Sequence, residues 1–186
     1  MKPYAFLIGV LLLLSCDDIM VPKPKAFLSL EYPKAAYHES PLELPFKFKK
    51  NKIAQLSISK KNNKLEGIIL RYPMLKASVF INYKKVNNNL ETLLSDARKM
   101  TQKHYRVADE ISERSYDYEI EKIYGMLYDL KGNVASQSQF YITDSLHHFV
   151  SGALYFETKP NYDSILPAIN YVQKDIMYLI ENLRWN

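Results

Sequence analysis

Apolar and polar positions alternate with a period of two over much of the chain from Phe46 onward, and this period is typical of β-strands. Three such stretches come first and cover 54–58, 68–72 and 79–83. The second ends at Pro73, whose missing N–H cannot continue a sheet. The pattern therefore predicts three strands in this part of the chain.

Three longer alternating stretches lie in the C-terminal half, after a polar region at 109–115 that we expect to be a loop. They cover 118–130, 134–143 and 146–157, and the turn signals "KGN" and "DS" join them. Because short connections join neighbouring antiparallel strands, these stretches predict a three-stranded meander.

Two segments have the helical period instead. The segment 90–104 carries one apolar stripe, and the preceding "NNN" supplies an N-cap. The other helix covers about 164–183 and contains Pro167. Since proline is best tolerated in the first turn of a helix, we expect the cap of this helix at Asp163 or Ser164.

The order of strands, helix, meander and helix predicts the α+β class, with an antiparallel sheet packed with two main helices. We expect one such domain over 27–186, with the final Trp185 packed back on the sheet. A Mog1/PsbP-like sandwich has this order of elements and is an analogy of fold only. A chain of 186 residues can bury a sizeable core without disulfides or metal ions.

The N-terminus has a different pattern. Lys2 precedes an uninterrupted apolar run over 5–14, and the small residue Ser15 closes the run. The run is much shorter than the roughly 20 residues that a helix needs to cross a membrane. A charged start, a short apolar run and a small residue at the exit are the layout of a secretory signal, so we predict a signal peptide over 1–15.

The only cysteine of the chain, Cys16, follows this signal directly, so the chain has no internal disulfide. The letters "LLSC" resemble the bacterial lipobox, in which the thiol is alkylated with diacylglycerol before the chain is cut between Ser15 and Cys16. The alternative is a signal peptide with a coincidental cysteine. We predict lipidation of Cys16 and a membrane-anchored mature protein without a spanning helix, in which the proline-containing stretch 16–26 is a semi-stiff tether.

The whole chain has a formal net charge of +5, and much of the positive charge lies in one segment. Seven of its lysines share a short segment and stand at 47, 49, 50, 52, 60, 61 and 64. They could contact anionic lipid or a cell-wall polymer, but a solvated lysine-rich face is the simpler interpretation. Nucleic acid is disfavoured, because no aromatic stacking motif accompanies the charge and the chain carries an export signal.

The stretch "NVASQSQFY" is unusually polar for a strand in the middle of a meander. Alternation places Ser136 and Ser138 on one face and Gln137 and Gln139 on the other. The two glutamines and Tyr141 could form a recognition patch. The alternative is a sheet face partly open to water, or amides bonded to a neighbouring loop, since buried amides need partners.

The histidines, acids and serines of the chain do not have catalytic or metal-binding spacing. Asp144, Ser145 and His147 lie around one tight turn and cannot converge as a triad, and no strained nucleophile elbow is present. His147 and His148 are neighbours on a strand and point to opposite faces, so they cannot share one metal ion. We therefore predict no enzyme activity, no metal and no cofactor.

Four stretches resemble the gliding motility lipoprotein GldD family, namely "VPKPKAFLSLEYP", "INYKKVNNNLETLLSDARKMTQKH", "KIYGMLYDLKGNVASQSQFYITDSLHHFVSGALYF" and "KPNYDSILPAINY". The resemblance covers most of the chain from Val21 to Trp185. It implies a membrane-anchored accessory of the gliding apparatus and of the associated type IX secretion system, with proteins of that machinery as partners. Cys16 is the only functional residue that it carries over. Asp17 and Asp18 leave the choice between inner and outer membrane open.

Three functions are compatible with the sequence. The first is a non-enzymatic envelope lipoprotein that docks to machinery proteins, as the resemblance implies. The second is an envelope module that holds a glycan or a peptide near Gln137, Gln139 and Tyr141. The third is an uncharacterised hydrolase, which would need a polar pocket with a perturbed ionisable group.

Overall fold

The computed structural model describes residues 31–61, 64–157 and 161–186. The predicted signal peptide, the cleavage site at Ser15 and Cys16 and the predicted tether all lie outside these residues. The strands are β1 (Tyr37–Glu39), β2 (Phe46–Lys47), β3 (Lys49–Asn51), β4 (Gln55–Lys61), β5 (Lys64–Tyr72), β6 (Ala77–Lys85), β7 (Glu110–Tyr118), β8 (Ile123–Lys131), β9 (Ser138–Thr143), β10 (His148–Phe156) and β11 (Arg184–Trp185), and the helices are α1 (Leu90–Gln102) and α2 (Tyr162–Glu181).

Seven strands form one antiparallel sheet with the order β4-β5-β6-β10-β9-β8-β7. Strands β7 to β10 are consecutive neighbours, which confirms a meander in the C-terminal half and the α+β class. The connection from β6 to β7 contains α1 and takes the chain from one half of the sheet to its far edge. Two small pairs, β1 with β3 and β2 with β11, complete the paired strands of the described residues.

The two helices pack on opposite faces of this sheet. Successive residues of β9 point to opposite faces, and Phe140 and Ile142 belong to the larger apolar core together with Val172 and Ile176 of α2. Tyr141 belongs instead to a smaller core that includes Leu93 of α1. Strand β9 is therefore covered on both sides, which explains why all of its residues are buried.

Two predicted boundaries in the meander are wrong. The expected loop at 109–115 is strand β7, an edge strand that pairs only with β8 and exposes most of its side chains on both faces. Alternation fails as a signal there, because neither face is consistently buried. The strand expected over 118–130 begins at Ile123, after a turn in which Lys122 has a positive φ of 52°.

The next two strands are shorter than predicted. Strand β9 begins at Ser138 and not at residue 134. In the residues before it, the Ser136 hydroxyl donates to the carbonyl oxygen of Ser138 and the Gln137 amide donates to that of Val134. Strand β10 begins at His148, since the turn after β9 is longer than two residues. In this turn, one carboxylate oxygen of Asp144 accepts hydrogen bonds from the backbone N–H groups of Leu146, His147 and His148.

Helix α2 begins earlier than the position of Pro167 suggested. Its N-cap is Asn161, whose carbonyl oxygen accepts the N–H groups of Ser164 and Ile165 at 3.1 and 3.3 Å, so the expected cap at Asp163 or Ser164 is wrong. An interior proline costs a helix about 3 kcal/mol. Burial of a continuous apolar face from Ala168 onward offsets this cost.

The C-terminus and α1 agree with the expectations. Trp185 pairs with Phe46, stacks on the ring of His148 and donates its Nε1–H to the carbonyl oxygen of Lys122 at 2.8 Å. Helix α1 has Asn89 as its N-cap residue, although the Asn89 side chain accepts the N–H of Asn87 and not one from the helix.

Candidate functional site

A cleft of about 480 Å³ lies between α1 and the sheet. Its floor follows from the strand register, which aligns Tyr128, Gln139, Ala153 and Phe80 in one row across β8, β9, β10 and β6. Residues of one row point to the same face of a sheet. Three consecutive strands and the more distant β6 therefore present their side chains to one cavity.

A second row lies beside the first. It aligns Tyr141 with Ser151 and Ser151 with Asn82 across β9, β10 and β6. One wall of the cleft is the C-terminal half of α1, through Ala97 and Met100. Helix α1 packs on β8 and β9 but does not reach β6. The cleft is therefore open on the side of β6.

One hydrogen bond joins the wall to the floor. The Thr101 hydroxyl of α1 donates to Oε1 of Gln139 at 3.0 Å, and the two residues are only 2% and 5% exposed. This bond uses the amide oxygen of Gln139. Among the described residues no acceptor takes the N–H groups of its Nε2, and Gln139 is one of the residues that line the cleft.

Two further polar groups of the cleft have no protein partner in the described part of the chain. Tyr128 and Tyr141 are 6% and 7% exposed, and neither hydroxyl makes a hydrogen bond to another described residue. Burial, together with the neighbouring Tyr141, raises the pKa of Tyr128 to about 12, so its hydroxyl is protonated and can donate. Among the described residues, the only buried side-chain nitrogen or oxygen without a hydrogen-bond partner is the Tyr116 hydroxyl, which lies elsewhere. The unpaired groups of the cleft are therefore open to solvent and available to a ligand.

The rim of the cleft is apolar. Phe80 and Met100 are 40% and 46% exposed, and the Phe80 ring contacts the Tyr155 ring edge to face at a centroid distance of 5.7 Å. The lining residues include no acidic, basic or histidine side chain. An apolar cavity with a few convergent polar groups is the usual composition of a ligand site.

The structure brings two of the three predicted recognition residues together. Gln139 and Tyr141 line the cleft, whereas Gln137 does not. The amide Nε2 of Gln137 donates to the carbonyl oxygen of Val134 at 2.8 Å, which is the bonding to a neighbouring loop that the alternative interpretation described. Ser138 faces α2 and donates its hydroxyl hydrogen to Asp129 at 2.7 Å.

Sequence reasoning missed most of the remaining lining. Tyr128, Phe80 and Ser151 join the site only through the pairing of β8, β10 and β6, which no local pattern states. Met100 lies within the segment 90–104, for which the sequence predicts an apolar stripe, yet it stands at the rim of the cleft. No signal in the sequence marks this position, because only the structure shows that Met100 is exposed whereas Leu93 and Thr101 of the same helix are buried.

The turn at Asp144 is structural. Burial alone would raise the pKa of its carboxyl, but hydrogen bonds from the N–H groups of His148, His147 and Leu146 hold the pKa below its ordinary value. His147 Nδ1 lies 3.5 Å from the second carboxylate oxygen, and His148 Nδ1 lies 2.9 Å from the Tyr83 hydroxyl. No hydrogen bond between described residues joins the Ser145 hydroxyl to either imidazole, so a nucleophile and its base are not paired here.

A second buried polar cluster lies on the α2 face and is fully bonded. Asp175 accepts the hydroxyl of Tyr37 at 2.7 Å and the amide of Asn51 at 2.9 Å. The Tyr171 hydroxyl donates to the carbonyl oxygen of Pro33 at 2.9 Å. These contacts attach the N-terminal end of the described chain to α2, so we assign this cluster a structural role.

The lysine-rich segment is not a uniform face. Lys50 is buried, its Nζ donates to the carbonyl oxygen of Ala54 at 2.6 Å, and burial lowers its pKa. Lys47, Lys52 and Lys60 are exposed. At least one of the seven lysines therefore stabilises the fold and is not available to a surface partner.

The described residues contain no group of three His, Cys, Asp or Glu side chains that could hold a metal ion. No helix among them has the length and apolar character that crossing a bilayer requires.

Comparisons with known proteins place the chain in a family. A search of curated proteins and a search of solved structures found no match, so the Mog1/PsbP-like arrangement stays a prediction. A family model described as gliding motility lipoprotein GldD matches residues 17–185, which is nearly the whole chain. The chain therefore belongs to the gliding motility lipoprotein GldD family.

Proposed function

We propose that the protein is an accessory component required for gliding motility and for the associated type IX protein secretion machinery. In this proposal it is held in the cell envelope by a lipid on Cys16 and acts by binding other proteins. The family match and the lipobox-like "LLSC" support the anchor and the process. The family is not a known enzyme family, and we propose that the chain has no catalytic activity.

The anchor can be tested at one residue. Each buried methylene of an acyl chain contributes about 0.8 kcal/mol, and two chains suffice for stable anchoring. The change Cys16→Ser removes the thiol, so we expect loss of palmitate labelling and release of the protein from the membrane fraction. Ser15→Ala keeps a small residue at the cleavage site and is the matched control. Palmitate labelling of the Cys16→Ser protein would contradict the proposed anchor.

The observation that carries the binding function is the cleft beside α1. Two tyrosine hydroxyls and the Gln139 amide lie there without protein partners, beneath an exposed apolar rim. A charge on the rim would oppose docking of an apolar surface. We expect Met100→Glu to abolish colony spreading and protein secretion while the protein still folds and accumulates.

Met74→Glu is the matched control for this experiment. Met74 is 70% exposed and lies outside the cleft, so the same change there adds the same charge to the surface. We expect normal spreading and secretion from the Met74→Glu strain. Normal spreading of the Met100→Glu strain, at a normal level of protein, would remove the cleft from the proposal.

A second candidate function is an envelope module that holds a glycan or a peptide as a small ligand. The volume of the cleft favours it, because about 480 Å³ falls within the roughly 300–1,000 Å³ of small-ligand sites. Gln139→Leu, which keeps the approximate volume but removes the amide, should then abolish function without unfolding the protein. A hydrolase is disfavoured, because the lining of the cleft offers no carboxylate, imidazole or thiol as a general base or nucleophile.

A further inference from the structure

We infer that the cleft beside α1 binds an uncharged peptide segment of a partner protein, through a large apolar side chain and a main-chain carbonyl oxygen. This inference deepens the proposed function and rests on it. The segment would place its side chain against the rim formed by Phe80, Met100 and Tyr155, and its carbonyl group toward the unpaired polar groups of the floor.

The absence of charge in the lining limits the ligand first. No lysine, arginine, histidine, aspartate or glutamate lines the described cleft. An ionised group of a ligand that entered would lose hydration without a charged side chain in the lining to replace it, and the two charges that act on Tyr128, Glu113 and Arg98, are of opposite sign. The part of the partner inside the cleft is therefore uncharged.

The free polar groups determine the chemistry at the inner end. The Gln139 oxygen already accepts from Thr101, so the group that this side chain still offers is its N–H donor. The hydroxyls of Tyr128 and Tyr141 can donate as well, and they lie on the same face, in the same row as Gln139 or the next one. A carbonyl oxygen has two lone pairs and can accept from two such donors at once.

The rest of the lining favours a peptide over a glycan as the ligand. Besides these donors, the lining has further polar side chains at Asn82 and Ser151, but much of it consists of Phe80, Ala97, Met100 and Ala153, which cannot hydrogen-bond to hydroxyl groups. A sugar ring carries hydroxyls on most of its carbons, and several of them would be buried against these residues without partners. A peptide segment instead pairs one carbonyl group with one apolar side chain, which matches the division of the cleft into a polar floor and an apolar rim.

Two probes that differ in one group test the inference on the full chain in phosphatidylcholine nanodiscs. N-acetyl-L-tryptophanamide is uncharged and has an aromatic side chain between two carbonyl groups, and N-acetyl-L-tryptophan replaces its terminal amide by a carboxylate. Saturation-transfer NMR, with empty nanodiscs subtracted, should show saturable binding of the amide and at least about tenfold weaker binding of the carboxylate. Equal binding of the two probes, or no binding of the amide, would overturn the inference.

Variants and a glycan probe locate the binding. Tyr141→Phe and Tyr128→Phe remove single donors, and each should weaken binding of the amide probe by about threefold to tenfold. Tyr118→Phe, outside the cleft, should leave the binding unchanged. N,N′-diacetylchitobiose should not compete with the amide. If the disaccharide competes and binds more tightly, or if neither cleft variant weakens binding, the peptide assignment fails.

The two proposals can fail separately. If Met100→Glu abolishes spreading but the amide probe does not bind, the proposed function stands and the peptide chemistry is wrong. If the amide binds and the cleft variants weaken it, but Met100→Glu cells spread and secrete normally, the cleft is a peptide site that the proposed function does not use.

Discussion

The two faces of the seven-stranded sheet differ in how completely they are closed. Helix α2 covers one face with a continuous apolar side and joins the larger core. Helix α1 is shorter, joins the smaller core and leaves the face of β6 and much of β10 uncovered. Strand β9 contributes side chains to both faces, so the same short segment lies in the closed core under α2 and along the open cleft beside α1.

Polar groups behave differently on the two faces as well. On the α2 face, Asp175 and Ser138 are bonded to protein groups. On the α1 face, the hydroxyls of Tyr128 and Tyr141 and the Gln139 amide nitrogen are not. Tyr116 is an exception in the larger core, since its hydroxyl is buried without a partner among the described residues. Unpaired groups that lie along a cavity are available to a ligand, whereas one sealed in a core is a cost to stability.

Truncation of a core residue on the closed face should have the largest effect. Ile180 of α2 is fully buried, and Ile180→Ala should lower the free energy of unfolding by about 2–5 kcal/mol, because the cavity left behind cannot collapse completely. Leu94→Ala on α1 removes a half-buried side chain and should cost less than half as much. Urea unfolding measures both, and equal costs would contradict the difference between the two faces.

A smaller loss is expected from the hydrogen bond between Tyr37 and Asp175. Tyr37→Phe removes the donor and leaves one oxygen of a buried carboxylate without it, which should cost about 1–3 kcal/mol in urea unfolding. Tyr118→Phe removes a hydroxyl that makes no hydrogen bond to a described residue and should change the stability very little. A neutral Tyr37→Phe variant would show that the cluster does not stabilise the fold.

The Asp175 carboxyl should also give the closed face a pH dependence. Burial raises its pKa above the ordinary 3.8, and the hydrogen bonds from Tyr37 and Asn51 offset only part of that rise. The folded protein therefore takes up this proton at a higher pH than the unfolded chain does. As a result, the stabilising contribution of Asp175 to the free energy of unfolding grows as the pH falls through the folded pKa and is complete below 3.8.

Asp175→Asn removes this titration. The free energy of unfolding of the parent protein minus that of the variant should increase as the pH falls toward 3.8, as followed by urea unfolding at several pH values. The subtraction removes the contributions of the other carboxyl groups. A difference that is constant or shrinks over this range would contradict the assignment.

The sequence predicted the closed face better than the open one, and the reason is physical. In β6, Val79 and Ile81 alternate with more exposed positions because one face is buried throughout, so the period of two is visible. In β7, Glu113 and Arg114 are both exposed although they are adjacent, so an edge strand has the pattern of a loop. Pro167 misled the prediction of the start of α2, because tertiary packing outweighed a local preference.

The cleft could be predicted only in part. Gln139 and Tyr141 drew attention because polar side chains in a central strand need partners. Their neighbours Tyr128 and Phe80 come from strands on either side, and the pairing of β10 with β6 joins segments that are separated by α1 and three strands. Such non-local register is not contained in any period of the chain, which is why most of the lining of the site was missed.

The smallest change in stability is expected where a hydroxyl faces the cleft. Tyr141→Phe removes a group without a protein partner in the described residues, so the free energy of unfolding should change by less than about 0.5 kcal/mol. Tyr116→Phe removes a hydroxyl that is sealed in the core and should stabilise the protein by up to about 1 kcal/mol.

Colony spreading should separate these two variants more clearly than their small changes in stability do. Urea unfolding and colony spreading should be measured on Tyr141→Phe, Tyr116→Phe and the parent strain at equal protein levels. We expect reduced spreading only from Tyr141→Phe, because only its hydroxyl lies along the cleft. Reduced spreading from both variants would mean that the unpaired hydroxyls share a structural role, and the contrast between an open and a closed face would lose its functional meaning.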